Sequence, residues 1–300
     1  MRDFSTDHRW LSINTATVRR QHGQDWGLLD ILDACAARGI RAVSPWRDQV
    51  AAAGLQATAA RLKQHGIELS GYCRGGMFTH AGAASRQAVR DDNRRALDEA
   101  CTLGAPCLVL VVGGLPGALQ GHALHKDIGA ARAQVHEGIA LLLEDARRVS
   151  MPLAIEPLHP MYAADRACVN TLEQALDLCD ELDLAPAGPA GVSGPAALGV
   201  AVDVYHVWWD PKLQAQIERA GHRRLLAFHV CDWLVPTRDL LNDRGMMGDG
   251  VIDIPRVRGW VEAAGFAGYS EVEIFSAENW WKREGGEVLA TCIERHRCAV

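Results

Sequence analysis

Short apolar runs alternate with longer stretches of helical period along most of the chain, and this pattern predicts the fold. Leu11 to Asn14 reads as a first strand. Ile40 to Trp46, Ile67 to Cys73 and Pro106 to Val112 read as the second, third and fourth. Leu153 to Leu158, Leu198 to Val207, Leu225 to Cys231 and Tyr269 to Phe275 complete the series. Continuous apolar runs of this length suit strands buried on both faces, as in a parallel sheet. Between them the period changes to that of a helix. The helical stretches are Trp26 to Ala37, Leu55 to His65, Ala84 to Leu103, Ile128 to Val149, Thr171 to Leu182, Pro211 to Ala220, Ile254 to Ala264 and Glu287 to Arg297. Gly39, Gly66, Gly104 and Gly265 stand where four of these helices should stop.

Eight strands alternating with eight helices predict an α/β chain, a (β/α)8 TIM barrel filling residues 1–300 as a single domain. An open doubly wound sheet is the alternative. No glycine fingerprint for a dinucleotide or a triphosphate opens a helix, so nucleotide-binding versions lose support. Two loops stand out. Asp183 to Ala197 is rich in Pro, Gly and Ala and runs from helix to strand, so a barrel places it at the bottom, as a tolerated insertion. Trp233 to Asp253 runs from strand to helix at the top. Its glycine-rich turn, Gly245 to Gly250, suits a lid.

The four last strands share a feature. Each apolar run ends in a carboxylate or an imidazole: Glu156, Asp203, His229 and Glu273. Such a group at a buried strand end is costly unless something pairs with it. In a barrel these four tips sit together on the catalytic rim. Three carboxylates and one imidazole form a hard donor set that favours one divalent cation, Mn most of all, with Mg or Co possible and Zn or Fe less favoured. His159, His206 and Asp232 each lie three residues beyond a proposed ligand and are candidates for substrate contact. Arg244 in the lid is a candidate for neutralising an enolate or binding a phosphate or hydroxyl. Trp233 belongs to a group of tryptophans after strand ends, whose indole faces suit the C–H faces of sugars.

Composition narrows the classes. The net charge of -6 leaves no whole-chain basic footprint for nucleic acid. No apolar run approaches a membrane span, and Met1 to Asp7 has no apolar signal core, so the expected location is the cytoplasm. The nine cysteines form no C-x-x-C pair and read as reduced residues of the core. The expected partner is a small sugar or polyol, with no nucleic acid and no membrane; a homo-oligomer is compatible with the sequence.

Several stretches resemble the xylose-isomerase-like sugar phosphate isomerases and epimerases. They are Ile155-Glu156-Pro157-Leu158-His159-Pro160, Asp203-Val204-Tyr205-His206, His229-Val230-Cys231-Asp232, Gly248-Asp249-Gly250 followed by Ile252, and Val272-Glu273-Ile274-Phe275. The resemblance covers most of the chain and is strongest from Leu153 to Ser276. It implies that Glu156, Asp203, His229 and Glu273 hold a divalent metal. It further implies that Glu156 and Glu273 act as acid and base on opposite faces of a keto-sugar. Keto-sugar 3-epimerases and inosose dehydratases are the relatives in view. Two positions depart from the epimerase pattern: Tyr162 stands where those enzymes carry a glutamate, and Val235 where they carry a substrate-binding arginine. A keto-inositol dehydratase or keto-glycoside eliminase on the same metal site is therefore the alternative. Apurinic endonucleases of the same family need further zinc histidines, and Asp243-Arg244-Gly245 lacks one. A non-catalytic sugar-binding protein is the remaining class.

Overall fold

The computed structural model describes residues 2–183 and 196–300. Most of the expected insertion from Asp183 to Ala197 lies outside the described residues. Nine strand segments form one parallel sheet. They are β1 (Leu11–Asn14), β2 (Ala42–Ser44), β3 (Glu68–Leu69), β4 (Tyr72–Gly76), β5 (Leu108–Val111), β6 (Leu153–Ile155), β7 (Leu198–Asp203), β8 (Leu225–Val230) and β9 (Ser270–Val272). Their order is β3-β2-β1-β9-β8-β7-β6-β5-β4. The predicted third strand is thus a single stave in two pieces. β3 pairs with β2, and β4 pairs with β5, with Ser70 and Gly71 between them. The Cys73 amide donates to Pro45 O at 3.2 Å, and Trp46 bridges Cys73 in parallel, which brings the two edges of the barrel together.

The outer layer contains α1 (Leu28–Ala37), α2 (Leu55–His65), α3 (Ala83–Leu103), α4 (Ile128–Arg148), α5 (Leu172–Leu182), α6 (Leu213–Arg224), α7 (Ile254–Ala263) and α8 (Gly285–Ala299). Side chains fix several starts. Asp127 accepts from the Ala130 amide, Thr171 from Gln174 and Asp253 from Arg256. Each such cap contributes about 1 kcal/mol. Val135, Ile139, Leu142 and Leu143 form the buried stripe of α4. Each buried side chain of that size contributes about 1.5–3 kcal/mol. A short helix, Arg47–Ala53, follows β2 and was not legible, because Trp46 had been read as the end of a longer strand. The strand predicted to reach Val207 instead ends at Asp203. The Asp203 carboxylate accepts from the Tyr205 amide and starts a helical turn, Val204–Val207.

Small residues fill much of the barrel interior: Cys73, Cys107, Val109, Ala154, Ala201 and Ala227. They leave room above for a polar layer. All nine cysteines are free thiols, and seven are buried. Among the described residues, no helix is long and apolar enough to cross a membrane.

Candidate metal centre and substrate pocket

Asp203 ends β7, His229 is the penultimate residue of β8, and Glu156 and Glu273 come one residue after β6 and β9. These four staves are consecutive in the sheet, so their tips converge. One ligand atom from each of Glu156, Asp203, His229 and Glu273 lies within 4.8 Å of the others, and all four residues are buried. The imidazole stands in the middle. His229 Nδ1 is 2.9 Å from Glu156 Oε1 and 3.6 Å from Glu273 Oε2. This is the one group of three or more potential metal-binding side chains among the described residues.

Arg244 is buried with them. Its Nη1 donates to Asp203 Oδ2 at 2.9 Å and lies 3.3 Å from Glu273 Oε2. The guanidinium stacks over Tyr205 at 4.4 Å and Phe275 at 5.2 Å. It thus occupies the floor, although the sequence had placed it in a mobile lid. One guanidinium does not balance three converging carboxylates. A divalent cation fits the charge as well as the donor atoms, since buried charges require compensation.

The two glutamates differ in proton affinity. Burial pushes Glu156 up to about 7 against the opposing pull of His229. Burial would raise Glu273 too, but the hydrogen bond from His229 and the charge of Arg244 hold it well below the ordinary carboxylate range. His206 is driven down to about 3 by burial, which outweighs Asp203 beside it. Its Nε2 lies 3.1 Å from Arg244 Nη2 and 3.5 Å from Asp203 Oδ2, and Nδ1 accepts from the His159 amide.

A cavity of about 60 Å³ opens onto the cluster, with Glu156, Glu273, His206 and Arg244 in its wall. That volume corresponds to roughly two waters at their liquid volume. Trp46, Tyr162 and Phe275 form apolar parts of the wall, and Arg74 and Arg166 also line it. Three expected substrate contacts do not line this cavity. His159 stacks on Trp233 at 4.8 Å, and Trp233 packs on Tyr205 at 4.7 Å, so these rings build the outer rim. Asp232 faces the loop: its carboxylate accepts from the amides of Gly248 at 3.0 Å, Gly250 at 2.8 Å and Ile252 at 3.0 Å.

The loop after β8 is fastened over the site. Tyr205 Oη donates to Leu240 O at 2.9 Å, and Tyr162 Oη donates to the same carbonyl. The Arg244 amide donates to Phe275 O at 2.9 Å. Tyr162, which replaces the glutamate of the epimerase pattern, therefore serves as a strut.

Sequence reading missed Glu271. It is buried in β9, accepts from Asn14 Nδ2 at 2.8 Å and Ser70 Oγ at 2.7 Å, and lies 3.5 Å from His229 Nε2. The signal was present. Residues two apart on a strand share a face, so Glu271 had to point inward with Glu273.

A solved Sinorhizobium meliloti 1021 protein is 57% identical, covers 97% of this chain and 98% of its own, and superposes with a TM-score of 0.87. Two more distant structures share the fold. An IolI protein with a bound zinc atom is 18% identical over 95% of each chain, with a TM-score of 0.74. The D-allulose 3-epimerase of a Methylomonas species is 14% identical over 98% of this chain and 99% of its own, with a TM-score of 0.72. None of the curated proteins matches the chain. The model of the xylose isomerase-like TIM barrel matches residues 32–291, and the chain belongs to that family.

Proposed function

We propose that the chain, acting as one catalytic domain, is a divalent-metal-dependent isomerase or epimerase that moves a proton on the carbon beside the carbonyl of a keto-sugar or related polyol. The supporting observation is the convergence of Glu156, Asp203, His229 and Glu273 within 4.8 Å at the carboxyl ends of four neighbouring strands. The hard donor set favours Mn, with Mg or Co as substitutes and Zn less suited. When bound, such a cation would polarise a substrate carbonyl and acidify the neighbouring C–H bond.

The chain's own residues divide the remaining work. Glu156 and Glu273 are carried by β6 and β9, with β7 and β8 between them, so each approaches from a different side. One carboxylate removes the proton and the other returns it, or protonates a leaving hydroxyl in the dehydratase variant of the reaction. Arg244 pairs with Asp203 and Glu273 and holds both carboxylates in place. Tyr162 and Tyr205 keep the loop at Leu240 closed, which limits water at the reacting carbon.

The test is incubation of the Mn-loaded protein in heavy water with keto-sugars, keto-inositols and keto-glycosides, read by NMR. Metal-dependent exchange of a substrate proton is expected. Exchange with an isomeric product supports the isomerase, and exchange with loss of water supports the dehydratase. Tight sugar binding with no exchange anywhere in the panel would instead leave a binding protein.

A further inference from the structure

We propose that Arg74 and Arg166 form an anion subsite, and that the substrate carries a carboxylate or phosphate beside its carbonyl-bearing end. This rests on the metal-site reading above and adds the chemical class of the substrate.

Both arginines line the cavity that Glu156 and Glu273 also line. Arg74 is half-buried, yet among the described residues no carboxylate or carbonyl accepts a hydrogen bond from its side chain, and it enters no ion pair. Arg47 and Arg2, which are also part-buried, are paired: Arg47 bonds Asp92 and Glu99, and Arg2 bonds Glu262. Arg166 has one weak ion-pair partner, its neighbour Asp165 at 3.8 Å, and lies over the Tyr162 ring at 5.9 Å. An unpaired guanidinium in a confined pocket is a poor choice for stability and a good one for gripping an anion, because its planar donors match carboxylate and phosphate oxygens.

The backbone is shaped to present Arg74. The register of β4 against β5 shifts between Cys73 and Gly75, so Arg74 is the extra residue of a bulge. Bulges re-aim a side chain beside active sites. The bulge is held from both directions. Asn93 on α3 accepts from the Gly76 amide at 2.6 Å and donates to Gly76 O at 2.8 Å. Gly76 has φ +104°, and a Cβ there would stand 2.1 Å from Val111 O, so only glycine suits this backbone.

The experiment uses three probes on one three-carbon frame: glycerol, glycerate and glycerol 3-phosphate. Each is titrated calorimetrically into the whole chain, with Mn and without, as wild type, Arg74→Gln and Arg166→Gln. Among the described residues the Arg74 side chain makes no hydrogen bond, so its replacement breaks none of those, and thermal unfolding of each variant verifies this. Wild type should bind an anionic probe at least about tenfold more tightly than glycerol, and either substitution should remove most of that preference. Preference for glycerate identifies a carboxylate, and preference for glycerol 3-phosphate identifies a phosphate. The proposal is overturned if wild type shows no preference for either anion, or if the preference survives in both variants, which would place the anion on the cation itself. Mn affinity is read in parallel. A chain that fails to bind Mn removes the proposed function, whereas Arg-independent binding with Mn in place removes this inference alone.

Discussion

Glu271 Oε1 lies 3.5 Å from His229 Nε2, while the opposite nitrogen of the same ring points at Glu156 Oε1 from 2.9 Å. A carboxylate below an imidazole selects which nitrogen carries the proton and frees the other as a ligand. Asn14 and Ser70 hold Glu271 in turn, so the imidazole is oriented by a chain of contacts that reaches across to β1 and the break in the third stave. Replacing Glu271 with Gln keeps the shape and removes the charge. Mn affinity, measured by calorimetry, should fall about 10–100-fold. An unchanged affinity would show that Glu271 only fills space.

Glu156→Gln and Glu273→Gln probe the acid and the base. Each should lower turnover of whichever keto-sugar proves active by at least about a hundredfold. Under the proposed division of labour, in which one carboxylate starts the reaction and the other finishes it, proton exchange with heavy water should disappear in only one of the two. If both variants exchange and turn over at the wild-type rate with metal bound, the division of labour between the two glutamates is wrong.

Arg244→Met addresses the floor of the site. Arg244 is buried between Asp203 and Glu273, and removing it leaves their charges without a fixed partner. Breaking a buried pair in this way costs about 3–5 kcal/mol. Urea unfolding of metal-free protein should show a loss of that order, and millimolar Mn should recover much of it by binding the folded state. Equal stability of variant and wild type without metal would contradict the pairing.

His296 supplies a pH dependence far from the site. It is fully buried and stacked on Phe4 at 4.4 Å. Burial lowers it to about 3, helped by the charges of Arg258, His8 and Arg2. The native ring is therefore neutral where an unfolded one, with its ordinary value near 6.5, takes up a proton. The unfolded state binds more protons between those values, so stability is intact above pH 6.5 and falls as the pH drops toward 3. The slope from this residue is at most about 1.4 kcal/mol per pH unit. A His296→Leu variant should lose stability less steeply than wild type between pH 6 and pH 4 in chemical unfolding. Parallel curves would assign the acid sensitivity elsewhere.

Some of this was legible in the chain and some was not. The alternation of strands and helices and the four polar tips could be read, because a charge at the end of an apolar run conflicts with burial and so draws notice. Glu271 could have been read from its spacing to Glu273, but Ser270 and Glu271 resembled an ordinary polar strand start. Arg74 falls one residue beyond the predicted third strand, Ile67 to Cys73. Its role as the extra residue in a bulge depends on pairing between β4 and β5, which no local pattern encodes. The break at Ser70 and Gly71 was hidden for the same reason: the two halves of that stave answer to different neighbours. Arg244 sat in a glycine-rich stretch that suggested motion, and only the packing against Tyr205 and Phe275 reveals it as part of the floor.

The grip of Asp232 on the amides of Gly248, Gly250 and Ile252 has a consequence for how this scaffold can diversify. Gly250 is pressed so close to the Trp233 carbonyl that a Cβ would stand 2.2 Å from it, which makes the return point of the loop as fixed as its departure point. With both feet clamped by one carboxylate, the span between them, from Leu234 to Asn242, can change its side chains while the ligand-bearing strand ends keep their positions. The side chains of the span and the positions of the four converging groups are thereby set by separately anchored parts, so that substitutions in the one need not shift the other.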